Sequence, residues 1–202
     1  MPVWPELLST DTVAMARELI GWWMVVVTPE GLCGGPICET EAYTQADPAS
    51  HSFRGQTPRN RAMFGPPGRL YVYRIYGIHW CCNLVTAAEG SGEAVLIRAL
   101  QPELGVDLMR ERRGLSPTDR RRTRGISDGP GKLCQALGID GSRDAETVGL
   151  VRETAALQEV GAGRVCLVPR SGPAPAVVAG PRVGISKATG LPWRFRAALS
   201  SE

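Results

Sequence analysis

The sequence is short of residues on which several common chemistries depend. Lysine is nearly missing: of 23 basic residues, only Lys132 and Lys187 are lysines, which disfavours a mechanism built on a lysine Schiff base. Histidine occurs twice, at His51 and His79. The six cysteines (Cys33, Cys38, Cys81, Cys82, Cys134 and Cys166) form no C-x-x-C pair and no His/Cys zinc spacing, so free buried thiols are expected and a metal site is not. The H-x-E and P-C-x-x-C pair of the zinc base deaminases is lacking too. No apolar run approaches the roughly 20 residues of a membrane span. Residues 20–27 form a short run of this kind and read as a buried strand. With no basic leader ahead of it, an intracellular protein without a membrane partner is expected. Acidic residues are absent from Pro48 through Ala88, a window holding Arg54, Arg59, Arg61, Arg69 and Arg74.

What is present suits one domain. A chain of 202 residues, 43% hydrophobic and 21% charged, can bury a full-sized core. The net charge of +3 is too small to demonstrate nucleic-acid binding, but its distribution is uneven. Residues 110–124 carry seven arginines against Glu111 and Asp119, and residues 140–159 carry five acids against two arginines. One charge run alone reads as a solvated face. Two basic stretches flanking an aromatic segment point toward a surface for phosphates.

The pattern predicts an α+β fold: a single domain with an antiparallel sheet, surrounding helices and a protruding β-hairpin. Thr10 or Asp11 caps a helix bearing Val13, Ala16, Leu19 and Ile20 and closed by Gly21. Strands are expected at 22–28, 36–44, 70–76, 79–86, 95–100, 147–152, 164–168 and 182–186. Residues 45–69 form a long loop with one helical turn. Gly77-Ile78 marks a hairpin tip. Pro102 opens a helix running to Arg113, residues 114–128 form an arginine-rich loop, and Gly131 to Leu137 form a helix stopped by Gly138.

Strand alternation places Ile37, Glu39, Glu41 and Tyr43 on one face. Two readings fit: an edge strand with solvated glutamates, or a cleft holding a general base that activates water. Tyr71 and Tyr73 share a face with Ile75. Tyr76 stands at the hairpin tip, where an aromatic can wedge between base pairs, while a tyrosine deeper in the hairpin can stack on an extruded base. His51 follows the carboxylate strand within the long loop. Asp128-Gly129-Pro130-Gly131-Lys132-Leu133 fails the P-loop pattern, with Ile126 and Leu133 at required positions. It can still offer a helix N-terminus to one backbone phosphate.

Taken in order, Glu39-Thr40-Glu41-Ala42-Tyr43, His51, Gln56-Thr57-Pro58-Arg59-Asn60-Arg61, Tyr71-Val72-Tyr73, Ile75-Tyr76-Gly77, Asn83, Leu96-Ile97-Arg98-Ala99-Leu100, Gly129-Pro130-Gly131-Lys132-Leu133-Cys134 and Pro181-Arg182-Val183-Gly184 resemble the alkyladenine (3-methyladenine) DNA glycosylase family. The matches run from about residue 37 to 196. The resemblance implies one glycosylase domain over residues 1–202 and a monofunctional, cofactor-free enzyme, monomeric and DNA-associated. Its partner would be double-stranded DNA containing alkylated or deaminated purines. Glu41 would be the general base, with Arg98 and the main chain of Val183 positioning the water. Tyr43, His51, Tyr73 and Asn83 would bind the base, and Tyr76 would intercalate. Arg59, Arg61, Lys132 and Arg182 would hold the DNA backbone.

Overall fold

Residues 23–27 explain the first apolar run. Strand β1 (Trp23–Thr28) pairs antiparallel with β2 (Gly31–Tyr43) on one side and with β7 (Arg164–Val168) on the other. Met24 through Val27 are all buried, as befits a central strand covered on both faces. The structure is a computed structural model that describes residues 11–116, 123 and 125–198. Residues 117–122 and 124 of the expected arginine-rich loop lie outside the described residues.

Helix α1 (Thr12–Glu18) starts at Asp11, whose side chain accepts a 2.7 Å bond from the Ala14 N–H, satisfying an otherwise orphaned donor. It buries Met15 and Ala16 and is stitched to β2 by Thr40, whose hydroxyl donates to the Ala16 carbonyl at 2.6 Å.

β2 begins five residues earlier than the pattern suggests. Gly34 and Gly35, outside the expected strand, lie inside the observed one, where other backbones press on them. A Cβ on Gly34 would stand 2.1 Å from the Met24 carbonyl oxygen, and one on Gly35 1.8 Å from that of Gln101. Only glycine permits that approach. Past a register irregularity at Ile37–Thr40, β2 pairs with β5 (Glu93–Leu100) and, at residues 39–41, with β9 (Arg194–Ala197).

β3 (Leu70–Ile75) and β4 (His79–Thr86) make the expected hairpin. The Ile78 N–H donates to Ile75 across the turn, and the central residues Tyr76 and Gly77 have φ of 51° and 72°. Positive φ at both central positions is the type I′ arrangement, so the tip lies one residue earlier than Gly77-Ile78. Tyr76 and Ile78 are 81% and 69% exposed.

The sheet follows the order β3-β4-β5-β2-β1-β7-β6, with β9 on β2 and β8 (Val177–Gly180) on β9. It is mixed rather than wholly antiparallel, because β6 (Gly149–Leu150) pairs parallel with β7. Two further expectations give way to tertiary pairing. Helix α2 starts at Val106 (Val106–Arg112), not Pro102, since the amides of Gln101, Glu103 and Leu104 bond the carbonyls of Pro36 and Gly34 and keep that stretch non-helical. The strand expected at 182–186 does not form. Residues 181–193 run irregularly between β8 and β9. Helix α3 (Pro130–Leu137) closes on Gly138 at φ 68°, as expected, and starts one residue earlier than expected, with Pro130 in its first turn. The core is a single α+β assembly in which the helices cover the curled sheet.

Candidate active site

β2 delivers Glu41 to the interior, where it is fully buried. A buried carboxylate is costly unless it is bonded and charge-compensated, and both conditions hold. One oxygen accepts the Val183 N–H at 2.8 Å, and the other accepts the Tyr43 phenol at 2.9 Å. Arg98, opposite on β5, brings Nη1 to 3.4 Å from the second oxygen. Its Nε donates to Glu39 at 2.7 Å, and Glu39 also accepts from Arg194 Nε at 2.6 Å. Glu39 is therefore a link in a charge chain, Arg194–Glu39–Arg98–Glu41. Burial works against the Arg98 cation, but Glu41 and Glu39 outweigh it and raise its pKa above the ordinary arginine value. Burial, then the charge and hydrogen bond of Glu41, raise the Tyr43 pKa as well, so the phenol keeps its proton and remains a donor.

In front of this group lies a cavity of about 520 Å³, a size suited to a small ligand. Tyr43, His51, Tyr73 and Asn83 all line it, as do Arg98, Val183, Arg59 and Tyr76. Glu41 is not part of the wall; it sits behind Tyr43, Arg98 and Val183. The His51 ring meets Tyr73 edge-on, with centroids 4.6 Å apart, and His51 Nδ1 lies 2.9 Å from the Tyr71 hydroxyl. Tyr71 stacks on Tyr73 at 5.3 Å. Although His51 stands exposed at the mouth, desolvation of its crowded ring, helped by Arg59, lowers its pKa. Asn83 is committed to the scaffold, its amide donating to the Tyr71 carbonyl at 3.0 Å.

Sequence reasoning passed over two residues that hold these walls. Asn60 donates to the carbonyls of His51 (2.8 Å) and Gly55 (3.1 Å) and accepts the Thr57 N–H at 2.6 Å, thereby fixing the loop that carries His51. Tyr71 was visible in the alternation beside Tyr73, but only the fold reveals its bond to His51. Lys187 also lines the cavity, a placement that nothing in its local sequence announced.

The expected phosphate contacts separate. Arg59 and Arg61 are exposed, and Arg59 donates to the Arg74 carbonyl at 3.2 Å. Lys132 is exposed but ion-paired to Asp128 at 2.8 Å. Arg182 is a correction: its side chain has no exposed surface. It pairs with buried Asp47, donates to the Ala42 carbonyl at 2.8 Å, and lies 4.6 Å from the Tyr43 ring centroid and 5.2 Å from that of Trp193. No phosphate can reach it there. It acts as a strut behind Tyr43 and beside Val183.

Among the described residues no group of three or more His, Cys, Asp or Glu is placed to hold a metal ion, and no helix is long and apolar enough to cross a membrane. All six cysteines are free, and burial pushes the Cys82 thiol up to about 12.

A buried, hydrogen-bonded carboxylate behind an aromatic cavity is able to carry out acid–base chemistry, and sequence relationships specify the family. The profile of the methylpurine-DNA glycosylase family matches residues 6–201. A protein of Nitrosospira multiformis is 49% identical over 93% of this chain and 86% of its own length, one of Rhodopseudomonas palustris 50% over 96% and 86%, and one of Methanoculleus marisnigri 48% over 92% and 89%. Each bears the name "Putative 3-methyladenine DNA glycosylase". The chain belongs to the methylpurine-DNA glycosylase family and is a hydrolase of the DNA glycosylase type.

Proposed function

We propose that this protein is a monofunctional glycosylase that flips damaged purines of the 3-methyladenine, 7-methylguanine, hypoxanthine and ethenoadenine class out of duplex DNA. It then hydrolyses their N-glycosidic bond with a water activated by Glu41, which starts base-excision repair. The observation that carries this reading is a buried carboxylate, held by Val183 and Tyr43, directly behind an aromatic cavity whose wall holds no carboxylate among the described residues.

Extruding a base costs a few kcal/mol, least when the base is damaged or mispaired. Tyr76, exposed at the hairpin tip, fills the vacated stack. The base enters between Tyr43 and the His51–Tyr73 pair, whose electron-rich faces favour flat, electron-poor or cationic purines. As the bond between the base nitrogen and the sugar breaks, its electron pair leaves with the base and positive charge grows on the sugar. Glu41 stabilises that charge and takes a proton from the water whose oxygen bonds to the sugar carbon. Each carboxylate oxygen has two acceptor sites, so the bonds to Val183 and Tyr43 leave lone pairs free to accept from this water. Arg98 sets a positive charge 3.4 Å from the carboxylate. The enzyme works as a monomer inside the cell, on DNA, and needs no cofactor.

Single-turnover excision from duplexes carrying hypoxanthine, ethenoadenine or 7-methylguanine tests the reading. Glu41→Gln should abolish base release and leave binding to lesion DNA intact. A DNA-binding protein without catalysis would release no base in either form.

A further inference from the structure

We propose that Lys187 is the phosphate clamp of the extruded nucleotide, its ammonium holding a backbone phosphodiester at the mouth of the cavity. The inference rests on the glycosylase reading above. Among the described residues three cations line the cavity: Arg59, Arg98 and Lys187. Arg98 is committed to Glu39 and Glu41. Arg59 gives one nitrogen to the Arg74 carbonyl and holds its guanidinium 6.0 Å from the Tyr73 centroid. Among the described residues Lys187 has neither an ion pair nor a hydrogen bond, and it is exposed. It is the uncommitted charge of the wall. Lys132, the other lysine, is paired with Asp128 and does not line the cavity.

Its place in the chain supports the same role. Residues 183–187 line the cavity without a break. Their start is tied to the reaction centre by the Val183 N–H on Glu41, and by Arg182 on Asp47. Ile75 and Tyr76 of the hairpin border the same cavity. A strand that sends one base inward must bring the flanking phosphates to this mouth, where the wall has no carboxylate to repel them. A flexible ammonium on an anchored segment can follow a phosphate through the rotation, which a fixed guanidinium cannot.

The test uses the full chain with Lys187→Gln and Lys187→Arg, on duplexes bearing a non-hydrolysable 2′-fluorinated hypoxanthine nucleotide and on the undamaged duplex. Losing one phosphate contact should weaken lesion binding by about an order of magnitude near 0.1 M salt and lower the salt slope by about 0.9. Lys187→Arg should retain most of the affinity, and neither change should move the melting temperature. A methylphosphonate at one phosphate flanking the lesion should weaken the wild type but not Lys187→Gln. The proposal is overturned if Lys187→Gln binds like the wild type at every salt concentration, or loses affinity equally on undamaged DNA. It is likewise overturned if borohydride traps a covalent adduct at Lys187, which would make the residue an amine nucleophile. A wild type that excises no base would defeat the glycosylase reading itself; an active wild type with an indifferent Lys187→Gln would defeat only the clamp.

Discussion

The phenol of Tyr43 donates to the carboxylate of Glu41 at 2.9 Å, joining the ring that faces the cavity to the group behind it. In the proposed mechanism, stacking and water activation fall to positions two residues apart on one strand. Tyr43→Phe retains the ring and removes the donor. We expect lesion binding to stay within about threefold of the wild type, while single-turnover excision falls about tenfold, in line with roughly 1.5 kcal/mol for a hydrogen bond to a charged group. Tyr43→Ala should lose both. Equal losses in binding and rate for Tyr43→Phe would separate the phenol from the chemistry.

Arg182 and Asp47 form a buried pair whose members are 135 residues apart in sequence. Arg182→Met leaves Asp47 uncompensated and should cost about 3–5 kcal/mol in denaturant unfolding. The double variant with Asp47→Asn should recover part of that loss. Because the Arg182 side chain has no exposed surface, the salt slope of DNA binding should not change in a folded double variant. A slope reduced by about 0.9 would restore Arg182 to the DNA interface.

His51 has a lowered pKa, so the unfolded chain takes up its proton first as the pH falls. Stability should therefore fall from about pH 6.5, the ordinary histidine value, down to the lowered folded value, and level off below it. Thermal melts between pH 7.5 and 5.5 should show this decline in the wild type and a shallower one in His51→Gln. Identical pH profiles would show that His51 is not desolvated in the folded protein.

Tyr76 holds φ at 51°, a conformation that costs a non-glycine residue about 1–2 kcal/mol. Strain of this kind gathers at functional sites. Tyr76→Gly should thus leave stability unchanged or slightly raised while excision from paired lesions drops sharply. Single-stranded substrate, which leaves no hole to fill, should be far less affected. Equal loss on both substrates would contradict the wedge role.

The elements legible in the sequence were those written in local pattern. The 3.6-residue spacing of α1, the tyrosine alternation of β3 and the glycine stop of α3 each depend on neighbours in the chain, and each appears in the structure. What escaped depends on remote partners. Gly34 and Gly35 fall outside the expected strand, because what holds them inside it is the close approach of the backbones of β1 and the segment after β5. Pro102 reads as a helix start until Gln101 and Glu103 bond to β2. Within the site, residue type and spacing mark the Glu39–Glu41 strand, the tyrosines and His51 as candidates, and the family resemblance assigns roles to Glu41, Tyr43, His51 and Tyr73. Arg182 resembled the surface arginines around it, and only Asp47, Tyr43 and Trp193 reveal its buried role. Asn60 likewise looked like loop filler until its bonds to His51 and Gly55 appeared.

The most direct measurement of the central claim is single-turnover release of hypoxanthine by Glu41→Gln, alongside its affinity for the same duplex. The account predicts a rate lower by about 10²–10⁴-fold, the range for loss of a general base, with affinity equal to or better than the wild type. Excision by Glu41→Gln at the wild-type rate would contradict it.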